Sequence, residues 1–149
     1  MKMREFVQIP AVTCSPEATV GDAARLLDRF NVGSLIVADS GRILGIVTDR
    51  DIALRCVAHG LAPSAPVTHV MTHTVATVAE GAELAEAADI MAAHGVRRLP
   101  VIDADGRPVG VVALDDLTRY LGKELDALTR ALSAQIDTVH YAGWTDWDG

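Results

Sequence analysis

The sequence predicts a mixed α/β (α+β) fold: two β-α-β-β-α units packed sheet to sheet about a pseudo-twofold axis. Three observations predict it. The chain repeats itself, with Thr13 on Thr77, Val20 on Leu84, Leu27 on Met91 and Val37 on Val101 at an offset of 64. One extra residue near Asp105 raises the offset to 65, which then sets Gly45 on Gly110 and Asp51 on Asp116. Within each copy, a helical stripe of apolar residues gives way to β-branched alternation. Finally, so few strands per copy cannot bury both faces alone, so the copies must cover one another.

Each copy opens with a short extended piece, Ala11 to Cys14 and Val75 to Val78. In the first, Val20, Ala23, Ala24 and Leu27 then recur at 3-4-3 spacing, one stripe of a helix. Thr19 and Asp22 stand as its capping box. Leu84, Ala87, Ala88 and Met91 repeat the stripe, and Asn31 and Gly95, both tolerant of left-handed backbone, end the two helices. Two strands follow, Ser34 to Ala38 and Arg42 to Val47, joined by Asp39-Ser40-Gly41. Their counterparts are Leu99 to Ile102 and Pro108 to Val112, joined by Asp103-Ala104-Asp105-Gly106. Both joints carry hairpin chemistry. A closing helix is expected over Asp49 to His59 and again over Leu114 to Tyr120. Gly60 to Pro66 is a Pro- and Ala-rich connector. The units therefore span 7–66 and 70–122. Residues 123–149 hold a separate amphipathic helix (Leu125, Leu128, Leu132, Ile136) and an acidic tail with Trp144 and Trp147.

Composition narrows the function. Half the residues are hydrophobic but only 4% are aromatic, so Ala, Val, Leu and Ile must fill the core. No apolar run approaches the roughly 20 residues that span a bilayer, and the first residues lack a secretory signal. Cys14 and Cys56 are too few for a disulfide framework, which points to a reducing cytoplasm. A net charge of −7 opposes a nucleic-acid partner. Any anionic ligand must be met locally, by Arg50, Arg97 and Arg98 or by helix N-termini.

The chemistry concentrates at Gly45-Ile46-Val47-Thr48-Asp49-Arg50-Asp51, where a strand runs into a helix. Thr48 and Asp51 have the spacing of a capping box. The same carboxylate could accept both hydroxyls of a vicinal diol in charge-assisted bonds, and the two roles can coexist. Arg97 and Arg98 either meet a phosphate or lie solvated and paired with the acidic surface. His69 and His73 are four apart, but the segment does not read as a helix and no third ligand accompanies them, so no metal site is expected. Cys56 reads as packing in the closing helix. Cys14 lies on the opening extended piece.

The tandem unit resembles a pair of cystathionine-β-synthase (CBS) domains, a Bateman module. The resemblance is carried by Gly45-x-x-Thr48-x-x-Asp51, Val70-Met71-Thr72 and Val96-Arg97-Arg98-Leu99-Pro100-Val101, and covers about Val7 to Gly122. It implies a stand-alone pair binding an adenosyl ligand between its repeats: AMP, ADP, ATP, S-adenosylmethionine or a nicotinamide dinucleotide. Asp51 would hold the ribose, Thr48 would contact ribose or α-phosphate, and the backbone near Thr13 and Cys14 would read the base. Gly45, Arg50, Arg97, Arg98 and Pro100 complete the implied site.

The second copy keeps the carboxylate at Asp116 but has Ala113 in place of the hydroxyl. Losing one neutral hydrogen bond costs roughly 0.5–1.5 kcal/mol, and losing the carboxylate roughly 1.5–3. The first cleft is therefore the expected site. The resemblance also implies a flat homodimer formed through helices, aided by the Leu125–Ile136 stripe, and a regulated protein partner that the sequence does not identify. The expected function is a non-catalytic sensor. The alternative is a ligand-free dimerisation scaffold. An enzyme is disfavoured, since no Ser-His-Asp, Cys-His or metal constellation stands out.

Overall fold

The structure, a computed structural model, describes residues 3–142. Trp144 and Trp147 fall outside that range. The chain divides into two compact units, Met1–Leu114 and Asp115–Gly149. The first holds both copies' sheets.

The two sheets are built alike. β1 (Thr13–Cys14) pairs parallel to β2 (Ser34–Asp39), which pairs antiparallel to β3 (Arg42–Thr48). β4 (Val78–Ala79), β5 (Arg98–Ile102) and β6 (Pro108–Ala113) repeat the order and senses. Helix α1 (Val20–Phe30) starts at the expected box: Thr19 N–H donates to the Asp22 carboxylate at 2.9 Å, and Asp22 N–H to Thr19 Oγ1 at 3.1 Å. Asn31 closes it at φ 50°, as Gly95 closes α3 (Leu84–His94) at φ 62°. Ser40 and Gly41, at φ 50° and 78°, give the β2–β3 joint the primed turn that suits twisted strands.

One rung is missing from the second sheet, for a local reason. Ile36 N–H donates to Val12 O at 3.0 Å. Pro100 occupies the matching place in β5 and has no N–H. Accordingly β4 begins at Val78, whereas β1 begins at Thr13, which matches Thr77 in the repeat.

Two expectations about helices are corrected. After Thr48, helix α2 keeps α geometry only over Asp49–Asp51, then runs on as a π-helix over Ile52–Val57. The wider turn shows in Ala58 N–H donating to Ala53 O, five residues back. Beyond β6, the closing helix and the separate amphipathic helix are one element, α4 (Leu114–Ala142). A glycine inside a helix costs only about 1 kcal/mol, so Gly122 does not break it.

The copies exchange their leads. Met3 N–H donates to Ala82 O in the second copy (3.0 Å), and Val67 N–H to Ala18 O in the first (2.9 Å). Gln8 bridges to Val111, and Thr72 to Ile46. Val67, Val70 and Met71 are accordingly buried with Val20, Ala23, Leu35, Val37 and Val47 in the first copy's core. The expected starts at Val7 and Val70 therefore cut through segments that serve the opposite copy. No helix among the described residues is long and apolar enough to cross a membrane.

Candidate functional site: a cavity between the exchanged lead and the first turn

Thr48 ends β3, and its geometry is fixed by the helix it caps. Its N–H donates to Asp51 Oδ2 (2.9 Å), and its Oγ1 accepts from Asp51 N–H (3.1 Å). The capping box is real and takes one carboxylate oxygen. Asp51 Oδ1 faces the guanidinium of Arg55 at 3.5 Å. The Asp51 side chain is 16% exposed, so it is held from within yet open to one side.

That side is a cavity of about 180 Å³. Thr48 and Asp51 line it from the first copy. Thr72, Thr74, Val75 and Ala76 line it from the exchanged lead, and Val96, Arg97 and Arg98 from the approach to β5. One aspartate, three threonines and two arginines thus line one small concavity with apolar walls. The Leu114 N–H ties down Arg97 by its carbonyl (2.8 Å), and no carboxylate among the described residues pairs with Arg98. The guanidinium of Arg98 instead lies over Gly33, where an added Cβ would come within 2.7 Å of Nη2.

The structure separates the sequence-derived residues. Thr48, Asp51, Arg97 and Arg98 meet at this cavity. Thr13 and Cys14 do not: Thr13 lines a second, more open cavity of about 890 Å³, and Cys14 is buried in the first core, its thiol pushed up by burial and by Asp22. The reason is the exchange of leads, which brings the second copy's extended piece, not the first copy's, opposite Asp51. Gly45 faces Met71 and Pro100 is buried in β5, so both act through packing and backbone. Arg50 is exposed and not among the lining residues; its N–H donates to the carboxylate of Asp49 (2.8 Å). Asp116 lies in α4, with Oδ1 3.3 Å from Arg119.

Residues that sequence reading missed are Arg55, Thr72, Thr74 and Ala76. The signal for Arg55 was its place four residues after Asp51, the spacing of a helical ion pair. For Thr72–Ala76 it was the offset of 64, which sets them on Gln8–Val12. That second stretch lines the larger cavity together with Val32. Among the residues lining it, Arg29 is the charged one. Groups of three or more His, Cys, Asp or Glu able to hold a metal are absent among the described residues.

Two repeats that swap leads and enclose a cavity rimmed by a capping-box carboxylate and arginines define a tandem cleft-forming module. Residues 3–57 and 67–123 each match the CBS domain, and the chain belongs to that family. It is 38% identical over 115 residues to CBS domain-containing protein YhcV of Bacillus subtilis, covering 77% of this chain and 81% of that one. It also resembles two solved structures. The CBS domain pair of protein MJ0100, in complex with 5′-methylthioadenosine and S-adenosyl-L-methionine, has a TM-score of 0.76 and 26% identity, covering 83% of this chain and 98% of that one. CBS domain protein PAE2072 from Pyrobaculum aerophilum, complexed with AMP, has a TM-score of 0.72 and 28% identity, covering 78% and 90%.

Proposed function

We propose that this protein is a non-catalytic sensor that binds an adenosyl ligand in the cavity beside Asp51. The observation that carries the reading is the placement of Thr48 and Asp51 across a cavity from Thr72–Ala76 and the Arg97–Arg98 pair. Asp51 accepts the ribose hydroxyls on the capacity left by the cap, and Thr48 still has its O–H to donate. Ala76 O lacks the strand bond that Val12 O receives, so it accepts the amino group of the base. At about 180 Å³ the cavity is below the roughly 300–1,000 Å³ of a drug-sized pocket. It takes base and ribose, and leaves phosphate at the mouth with exposed Arg97. The AMP and S-adenosylmethionine complexes of related pairs support the ligand class.

Binding joins the first turn to the second copy's lead, and a ligand shifts such an arrangement only by its differential affinity for the two states. The module works in the cytoplasm as a homodimer, presenting its surface to a regulated protein. Leu54 and Val57 on the π-helix, 47% and 72% exposed, favour helix-to-helix pairing. The exposed Leu121, Leu125, Leu128 and Leu132 of α4 favour a second reading, a dimerisation scaffold with no ligand.

Calorimetry with AMP, ATP, S-adenosylmethionine and NADH separates the two. Nanomolar-to-micromolar binding of at least one, abolished by Asp51→Ala, is the expected result. No heat and no thermal stabilisation from any of them leaves the scaffold.

A further inference from the structure

We propose that Arg55 is a positioning residue that locks the Asp51 carboxylate to the second copy's lead and so presets the cavity for a diol. The inference rests on the reading of the site given above. Arg55 Nη2 lies 3.5 Å from Asp51 Oδ1. Its Nη1 donates to Val70 O at 2.9 Å and to Thr72 Oγ1 at 3.2 Å. One guanidinium therefore touches two groups that line the cavity, Asp51 and Thr72, while staying outside the lining itself. It also reaches across the junction between the copies at the point where Thr72 and Ile46 exchange backbone bonds of 2.8 and 3.1 Å.

Three features make this more than a surface ion pair. The planar fork of Arg can serve several acceptors at fixed angles, which Lys cannot. Asp51 has its second oxygen already held by Thr48 N–H, so with Arg55 both oxygens are oriented before any ligand arrives. Arg55 also sits inside the π-helical turn that begins at Ile52, and such widened turns are rare and frequent at functional sites. Arg55 does not compete for the diol, because each carboxylate oxygen keeps accepting capacity. Its loss should weaken binding.

Two measurements on the full chain decide the matter. In ligand-free protein, Arg55→Met should speed hydrogen exchange at the Thr72 and Ile46 amides by about five- to tenfold, with α1 amides unchanged, and Arg55→Lys should fall between. Unchanged exchange at that bridge overturns the lock. Calorimetry with AMP and 2′-deoxy-AMP then reads the consequence. Wild type should prefer AMP, and Arg55→Met should lose about three- to tenfold for AMP while barely changing for the deoxy analogue. Equal losses for both, with the preference intact, make Arg55 merely structural and overturn the proposal. If wild type shows no preference for the diol, it is the assignment of Asp51 that has failed, and the exchange measurement alone judges Arg55.

Discussion

Gly45 is in contact with Met71 so closely that no larger residue fits between them. A Cβ at Gly45 would lie 2.8 Å from Met71 Cγ and 2.9 Å from Thr72 O, and closer still to Met71 Sδ. The repeat reproduces this at Gly110, where a Cβ would collide with Val7 and come within 2.7 Å of Gln8 O. The glycine inside the strand that leads to the turn thus serves to let the opposite copy's lead pass. Gly45→Ala should destabilise by about 1–3 kcal/mol, because Thr72 O is backbone and cannot swing away. Gly110→Ala should cost a similar amount. Urea unfolding measures both. A loss within 0.5 kcal/mol, the ordinary range for a surface change, would mean the lead is loosely seated.

Pro100 offers a test of base reading that leaves the carboxylate untouched. It denies Ala76 O the bond that Ile36 gives Val12 O at 3.0 Å. Pro100→Ala restores an N–H at that place, and the new strand bond should turn Ala76 O into the ladder and away from the base. A 6-amino purine nucleotide should then bind about two- to tenfold more weakly, the cost of one neutral hydrogen bond. Calorimetry with AMP reads it. Unchanged affinity would remove Ala76 O from the site.

What the sequence made legible is what is local. Thr19-x-x-Asp22 and Thr48-x-x-Asp51 each specify a box within four residues, and both form as read. The left-handed ends at Asn31 and Gly95 needed no partner to be recognised. The cavity was only half legible because its other wall comes from 21 or more residues beyond Asp51, from Thr72 to Ala76. Repetition shows that two copies exist, but an alignment of copies is silent on whether a lead pairs with its own sheet or the other. That choice sets Thr74–Ala76, rather than Thr13–Cys14, on the cavity beside Asp51. The π-turn was invisible for a different reason: over six residues its period differs too little from an α-helix to show in the apolar pattern.

Acid should expose the α1 box. Asp22 is held below the usual carboxylate range by the Thr19 amide first, and by the Thr19 hydroxyl and Arg25 after it. A carboxyl group whose folded value is lowered adds stability that is present above its unfolded value of about 4. That stability is lost as pH falls through the folded value. Asp22→Asn should therefore flatten the decline in stability below about pH 4 and leave a residual slope from Glu17, which Ser15 lowers likewise. Urea midpoints taken between pH 3 and 5 for both proteins would show it. Parallel curves would mean that the box survives protonation.

The start of α4 lacks what the starts of α1 and α2 have. Ala113 precedes the helix where Thr19 and Thr48 precede theirs, so this position offers no hydroxyl to the first turn, although the carboxylate three residues on is kept. Ala113→Thr supplies a hydroxyl acceptor at the capping position. A good cap in place of Ala contributes typically about 1 kcal/mol. For a chain of this size that corresponds to a rise in Tm of about 2–5 °C. The gain should vanish in Ala113→Val, which has the shape of Thr without its oxygen. Should Val raise Tm as much as Thr, β-branched packing rather than capping would be the cause. Calorimetric stoichiometry on the Thr variant reports in addition whether a hydroxyl here strengthens a second binding event, which the repeat leads us to expect because Thr48 occupies the matching place at the first cavity.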